Sequence, residues 1–305
     1  METKWLEDFV SLAETRSFSR SAQLRHVTQP AFSRRIQSLE GWAGTDLVDR
    51  SSYPTRLTPA GQTLYEQALE VLQALQSTRA MLRAHSTAAD DTIEFAVPHT
   101  LAFTFFPTWL SGLRSDCGVI KSRLTAWNVH DAVLRLVEGH ADLLIAYHHA
   151  SQPIQLDSAR YEMLPLGQEV VAPCVKADVH GQPLFRLPGA PKHPVPYLAY
   201  APGAYLGRVV EAAVKQSGVA VHLDRVYETD MAEGLKAMAR EGHGVAFLPL
   251  SAVKKDIQSG KLVRASEGLD LTLDIRIYRE RPQAGDLSKG AARRFWDALA
   301  ATLAQ

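Results

Sequence analysis

The chain has 305 residues, about twice the ~150-residue prior for one domain, so two or three folding units are expected. A composition of 46% hydrophobic and 22% charged residues, with 19 Gly and 16 Pro, excludes long disorder, a collagen-like repeat and a coiled-coil rod. The 33 basic side chains balance 33 acidic ones, so net charge points to no partner, but its distribution does. Between Thr15 and Thr58 lie Arg16, Arg20, Arg25, Arg34, Arg35, Arg50 and Arg56, against only Glu40, Asp46 and Asp49. All these positives are arginines, whose planar fork matches phosphate oxygens and guanine edges; a merely solvated face would mix Lys and Glu more evenly. No apolar run approaches the ~18 residues of a membrane span. The start, Met1-Glu2-Thr3-Lys4-Trp5-Leu6-Glu7-Asp8, is acidic where a secretory signal is basic, and a cytoplasmic location is expected. Cys117 and Cys174 lie far apart with no CxxC pair, which excludes a disulfide scaffold and a zinc ribbon.

In chain order, Trp5, Leu6, Phe9, Val10, Leu12 and Ala13 fall at helical spacing over Lys4 to Glu14. A turn leads to a short helix, Ser19 to Arg25, with Ser19 as its cap. Thr28 then caps a third helix that carries Pro30 in its first turn, buries Ala31, Phe32, Ile36 and Leu39, and stops at Gly44. Two short helices, a tight turn and a third helix make a helix-turn-helix unit. Asp46 to Asp49 and Thr55 to Leu57, around Ser51-Ser52-Tyr53-Pro54, predict a small hairpin, the wing of a winged helix. From Thr58 a helix runs to about Ala84 with Leu64, Ala68, Val71, Leu72, Leu75 and Leu82 in near-heptad rhythm. Such a stripe fits pairing with a copy from another subunit, the alternative being a helix laid on its own chain.

Ser86 to Asp91 reads as a polar linker. Strands and helices alternate beyond it: strand Thr92 to Val97, helix Leu101 to Leu113, strand Val119 to Trp127, helix Asp131 to Glu138 and strand Leu143 to Tyr147. The same grammar continues through Glu169 to Val175, Tyr197 to Tyr200, Tyr205 to Ser217, Val221 to Tyr227, Met231 to Glu241 and Val245 to Leu248. Strand Leu271 to Tyr278 and helix Lys289 to Leu303 close the chain. Repeated βα units predict an α/β domain with a largely parallel sheet.

The strongest motif is Ser17-Phe18-Ser19 with Ala22-Gln23-Leu24, then Thr28-Gln29-Pro30-Ala31-Phe32-Ser33-Arg34-Arg35-Ile36 and Leu39-Glu40. Leu47-Val48-Asp49-Arg50 and Leu57-Thr58-Pro59-Ala60-Gly61 complete it. This order closely resembles the N-terminal domain of LysR-type transcriptional regulators, and the remainder fits the family's two-lobed, periplasmic-binding-protein-like effector domain. Val48 departs from the family's aromatic at that step. The resemblance implies a winged helix-turn-helix over 1–57, a linker helix and hinge over 58–90, and an effector domain over 91–305. Its lobe I takes about 91–165 and 266–305, and its lobe II about 166–265. The implied partners are a double-stranded DNA operator, a small-molecule effector and RNA polymerase. The implied assembly is a homodimer through the linker helix and a homotetramer. Thr28, Gln29, Pro30, Ser33, Arg34 and Arg35 sit where a groove-reading helix needs them, with Arg50 and Arg56 on the wing. Arg35 has an alternative in an ion pair with Glu40.

Ligands of doubly wound sheets bind beyond the carboxyl ends of strands. Here those ends offer His99 and Thr100, Tyr147 and His148, Tyr205 and Leu206, and Thr229 and Met231 as effector contacts. A solvated loop explains His148 and His149 equally well. No Gly-x-Ser-x-Gly, phosphate-binding glycine loop or His-Glu-x-x-His motif occurs, so no enzyme, cofactor or metal is expected. Met1-Glu2-Thr3-Lys4-Trp5-Leu6, Ala204-Tyr205-Leu206-Gly207-Arg208, Met231 with Glu233 and Leu235, and Gly242-His243-Gly244-Val245-Ala246-Phe247-Leu248-Pro249 resemble the hypochlorite-responsive branch of the family. In that branch methionine sulfurs are oxidised to sulfoxide. Met231 matches such a position, whereas Leu206 stands where that branch has a methionine central to sensing. A small organic anion is the general expectation for the effector, and oxidant sensing through methionine is the alternative. The rival class, a solute-binding protein, would need an export signal and no DNA-binding head, the reverse of this chain.

Overall fold

A computed structural model describes residues 2–52, 54–84, 92–113, 118–282 and 290–303. The chain divides into two compact units, Met1–His85 and Ser86–Gln305.

In the first unit, α1 (Thr3–Thr15) buries Leu6, Phe9 and Leu12 and ends at Arg16, whose left-handed backbone lets its N–H return to Leu12 O. Helix α2 (Phe18–Leu24) is capped by Ser17 rather than Ser19: Ser17 is the last extended residue, and its hydroxyl accepts the Arg20 N–H. Helix α3 (Gln29–Ala43) starts after Thr28 and buries Phe32, Ile36 and Leu39. It stops where Gly44 adopts φ 70°, a conformation that favours glycine. Strands β1 (Val48–Asp49) and β2 (Arg56–Leu57) form the antiparallel wing, and α4 (Pro59–Ala84) follows. Gly61 is required here because a Cβ would lie 2.0 Å from Leu47 O. The stripe on α4 divides. Ala68 is buried, with Leu64 and Leu72 packed on the head's own core, whereas Val71 and Leu75 are 44% and 49% exposed. The side chain of Leu82 and the linker Ser86 to Asp91 lie outside the described residues.

The second unit contains β3 (Thr92–Pro98), α5 (His99–Thr104), α6 (Phe106–Gly112), β4 (Lys121–Trp127), α7 (Val129–Val137) and β5 (Leu143–His148). It continues with β6 (Tyr161–Lys176), β7 (Val195–Tyr200), α8 (Tyr205–Gln216), β8 (Leu223–Thr229) and α9 (Ala232–Glu241). Then come β9 (Ala246–Pro249), α10 (Leu250–Gln258), β10 (Leu262–Arg264), β11 (Leu271–Glu280) and α11 (Gly290–Leu303).

The expected single helix from Leu101 to Leu113 is two helices. The chain breaks at Phe105, because Pro107 cannot continue a helix and instead falls in the first turn of α6. The sheet is also mixed rather than largely parallel. Strands β3–β4, β3–β5 and β7–β8 pair parallel, but the long strands β6 and β11 run antiparallel to each other, and β5, β9 and β10 join them antiparallel. Strands β6 and β11 pass from one lobe to the other, and their pairing shifts register between Ile275 and Arg276. Phe95, Tyr147, Leu198, Phe247, Leu273 and Ile277 belong to the continuous core. Burial pushes the Cys174 thiol up to about 12; Cys117 lies outside the described residues. Among the described residues no helix is long and apolar enough to cross a membrane.

Candidate functional site: a DNA-reading helix and an interlobe cleft

Because Phe32, Ile36 and Leu39 fix one face of α3 inward, its first two turns present Thr28, Gln29, Pro30 and Arg34 to solvent. Ser33 is half-buried, and the Arg34 guanidinium folds back to the Pro30 carbonyl at 3.3 Å. Arg56, on β2, is exposed. Two arginines read as DNA contacts have other partners. Arg35 donates to Asp8 at 3.0 Å, not to Glu40. Arg50 forks onto Glu40 at 3.2 and 2.5 Å. Both carboxylates are buried, Asp8 completely and Glu40 at 8% exposure. Asp8 also accepts the Arg25 Nε–H at 2.9 Å, and Glu7 takes another Arg25 nitrogen. Glu40 additionally accepts the Leu47 and Val48 amides at 3.1 and 3.3 Å. The apolar periodicity of α1 and α3 hid these acids among core positions.

In the second unit the expected effector residues stand at the carboxyl ends of β3, β5, β7 and β8. Thr100 is buried, and His99 half-buried, at the start of α5. Tyr147 is enclosed; burial carries its phenol well above the ordinary value, and the charge of Glu169 and the neighbouring Tyr200 push the same way. Tyr205 and Leu206 are buried at the start of α8, where burial takes the Tyr205 phenol up to about 12. The half-buried His148 is lowered by desolvation first and by the Arg276 guanidinium second, with Asp274 opposing. The Thr229 hydroxyl accepts the Met231 N–H at 3.4 Å, and Met231, the N-cap of α9, is 41% exposed.

Among the described residues, side-chain hydrogen bonds that cross between the lobes include Asn128 Nδ2 to Asp230 at 3.3 Å, Arg208 Nε to Gln152 at 3.2 Å and Gln168 Nε2 to Asp274 at 3.3 Å. Helix α5 packs beside α10. Glu169 accepts from Ser251 N at 3.2 Å and from the Ser251 hydroxyl, so its carboxylate caps the first turn of α10. The Tyr200 Oη and His148 Nδ1 atoms are buried with no hydrogen-bond partner among the described residues. Sequence reasoning missed Glu169, Asn128, Asp230, Gln152 and Arg276. Of these only Glu169 carried a signal, a lone acid opening an otherwise apolar strand.

A winged helix-turn-helix joined to a two-lobed α/β domain defines a class: transcriptional regulators that bind DNA and carry an effector domain. Residues 3–62 match the bacterial regulatory helix-turn-helix protein, lysR family, and residues 86–304 match the LysR substrate binding domain. The chain belongs to the LysR family of transcriptional regulators. It is 33% identical over 299 residues to the HTH-type transcriptional regulator YjiE of Escherichia coli K12, covering 98% of this chain and 94% of the relative. Full-length HypT from Salmonella typhimurium, described as a hypochlorite-specific LysR-type regulator, matches at 28% identity and a TM-score of 0.59, covering 100% and 99% of the two chains. Vibrio fischeri DarR, solved in complex with DNA, matches at 29% identity and a TM-score of 0.57 over 98% of each chain.

Proposed function

We propose that α3 reads operator DNA through Gln29 and Arg34, with Thr28, Pro30 and Ser33 shaping its approach and Arg56 reaching the backbone from the wing. The observation that carries this is the exposed first two turns of α3 on a helix whose opposite face is core. A helix of this width enters the major groove, where Gln forks to adenine and Arg to guanine. Arg35 and Arg50 serve the frame of the head instead. We assign 1–57 to the head, 58–90 to the linker helix and hinge, and 91–305 to the effector domain. The exposed Val71 and Leu75 of α4 are the face on which a second copy pairs. The test is selection of duplexes from a random-sequence pool by the full-length protein. Arg34→Ala is expected to lose the selected preference, and unchanged selection by that variant overturns the assignment.

The effector on this reading is a small organic anion in the interlobe cleft, bridging Thr100 and Tyr147 of one lobe and Tyr205 and Thr229 of the other. Helix α5 has only six residues, so the cationic groups on this reading are Arg208, bonded to Gln152, and Arg276, which is itself ion-paired with Asp274 at 2.7 Å. A panel of mono- and dicarboxylates is expected to raise Tm in a concentration-dependent way. A second reading, oxidant sensing, is favoured by the exposure of Met231 and by the likeness to HypT. It predicts rapid, selective sulfoxide at Met231 after mild hypochlorite, with altered DNA binding and no thermal shift from any carboxylate. The buried Leu206 has no sulfur to oxidise, which places the organic anion first.

A further inference from the structure

We infer that Asp8, a residue of α1 with no access to DNA, is a positioning residue for sequence reading: its one carboxylate sets the rotation of α3. The inference rests on the reading of α3 as the helix that enters the groove. Asp8 lies among Leu6, Phe9 and Leu12 on the buried face of α1 and is itself fully buried. A charge in that position is unfavourable unless it is paired and hydrogen-bonded. Its two oxygens are divided between two elements: Oδ1 accepts from Arg25, immediately after α2, at 2.9 Å, and Oδ2 from Arg35 of α3 at 3.0 Å. Arg25 is doubly anchored, because Glu7 of the same helix also pairs with it. The Asp8 and Glu7 carboxylates oppose the desolvation that lowers the Arg25 pKa, and the balance leaves it raised.

The consequence follows from helix geometry. Apolar side chains tolerate small slides and rotations of one helix on another, whereas charge-assisted hydrogen bonds are directional. Consecutive residues on an α-helix point about 100° apart, given 3.6 residues per turn. The apolar face of α3 sets its inward side to within such a slide, and pinning Arg35 to α1 fixes the rotation that remains, with Arg34 exposed and Arg35 partly covered. Because the same carboxylate holds the end of α2, the pair of helices is set as one unit.

The test uses the full-length protein and two DNA probes: a duplex that the unsubstituted protein selects from a random-sequence pool, and poly(dA-dT) as a sequence-neutral duplex. Asp8→Asn is expected to reduce the ratio of the two affinities by about tenfold or more, comparable to misreading one base pair. Its salt slope on poly(dA-dT) is expected to stay unchanged, because no phosphate contact is removed. Arg35→Gln leaves the Asp8–Arg25 bond in place and is expected to lose the ratio in the same way, also with an unchanged slope. Asp8→Leu combined with Arg25→Leu replaces the buried pair with apolar groups; it is expected to keep the hydrogen-exchange protection of the α1 amides but not the ratio, since Arg35 remains unheld. A folded Asp8→Asn or Arg35→Gln protein with the unsubstituted ratio overturns the inference. So does an Arg35→Gln slope reduced by about one, which makes Arg35 a phosphate contact rather than a strut. If Asp8→Asn does not fold, the Arg35→Gln ratio and slope decide the matter alone. Loss of preference in Arg34→Ala, with the ratio intact in Arg35→Gln, separates failure of this inference from failure of the groove assignment.

Discussion

Replacing Glu40 with alanine is expected to loosen the wing without unfolding the rest of the head. The carboxylate binds the Leu47 and Val48 amides at 3.1 and 3.3 Å and the Arg50 guanidinium at 3.2 and 2.5 Å. Removing it leaves two buried N–H groups without an acceptor, at about 1–3 kcal/mol each, and deprives Arg50 of its counter-charge. The Arg50 side chain is 40% exposed, so water relieves part of its loss. A local destabilisation of about 3 kcal/mol follows, close to the lower edge of the unrelieved sum. Global melting is a poor monitor in a chain of two units, because two-state behaviour does not hold there. Amide hydrogen exchange is local. The Leu47 and Val48 amides are expected to exchange about a hundredfold faster, while amides in α1 keep their protection. Arg50→Ala, which leaves both amide bonds intact, is expected to give a smaller acceleration, with an unaltered salt slope for DNA binding. Unchanged protection at Leu47 and Val48 in the Glu40 variant would refute the reasoning.

Gln29→Ala and Arg34→Ala are each expected to weaken binding to a selected duplex by about 1–3 kcal/mol and to relax its sequence preference, measured by gel shift. Val71→Glu with Leu75→Glu places charge on the exposed face of α4 and is expected to lower the molar mass seen by light scattering at micromolar concentration. Thr100→Val, nearly isosteric but without the buried hydroxyl, is expected to weaken carboxylate binding by about 1–3 kcal/mol in calorimetry. The effector domain is expected to lose stability at alkaline pH. The Cys174 thiol is raised from 9.0 to about 12 in the folded state, so its contribution is complete below the unfolded value and is lost as pH climbs through that window. Tyr197 and Tyr205, each raised from 10.0 to about 12, act in the same direction. A urea midpoint that is flat up to pH 11, about two units above the unfolded thiol, would contradict this linkage.

The helices of the head were legible because their apolar spacing, proline placement and the Gly44 stop all agree. What escaped was set by pairing across the chain. Strand β6 extends back to Tyr161, yet Pro165 and Gly167 punctuate that half and disguise it as a loop. Its partner β11 accommodates the interruption by shifting register between Ile275 and Arg276, a fact no local pattern contains. Helix α10 was invisible for another reason: only Val253 is fully buried on it, and a stripe that narrow gives little periodicity. The candidate effector residues were legible as strand ends, and the polar partners around them were not. The hydrogen bond between Asn128 and Asp230 joins residues that belong to different lobes, and nothing near either one marks the other.

The arginine-rich segment shows why charge composition alone does not measure a free basic face. Seven arginines against three acids suggested a broad basic face. Three of them, Arg25, Arg35 and Arg50, are held by carboxylates, two of which sit in the apolar stripes of α1 and α3. Asp8 falls outside the segment counted, so its charge did not enter the balance. Arg16, Arg20, Arg34 and Arg56 remain exposed. The ion pairs reduce the long-range field and therefore the sequence-neutral part of binding, which scales with phosphates neutralised. They also stiffen the frame from which Gln29 and Arg34 project. On the proposed reading of α3, a head built this way gives up non-specific attraction and gains fixed geometry at Gln29 and Arg34, which favours discrimination between sequences over affinity for DNA as such.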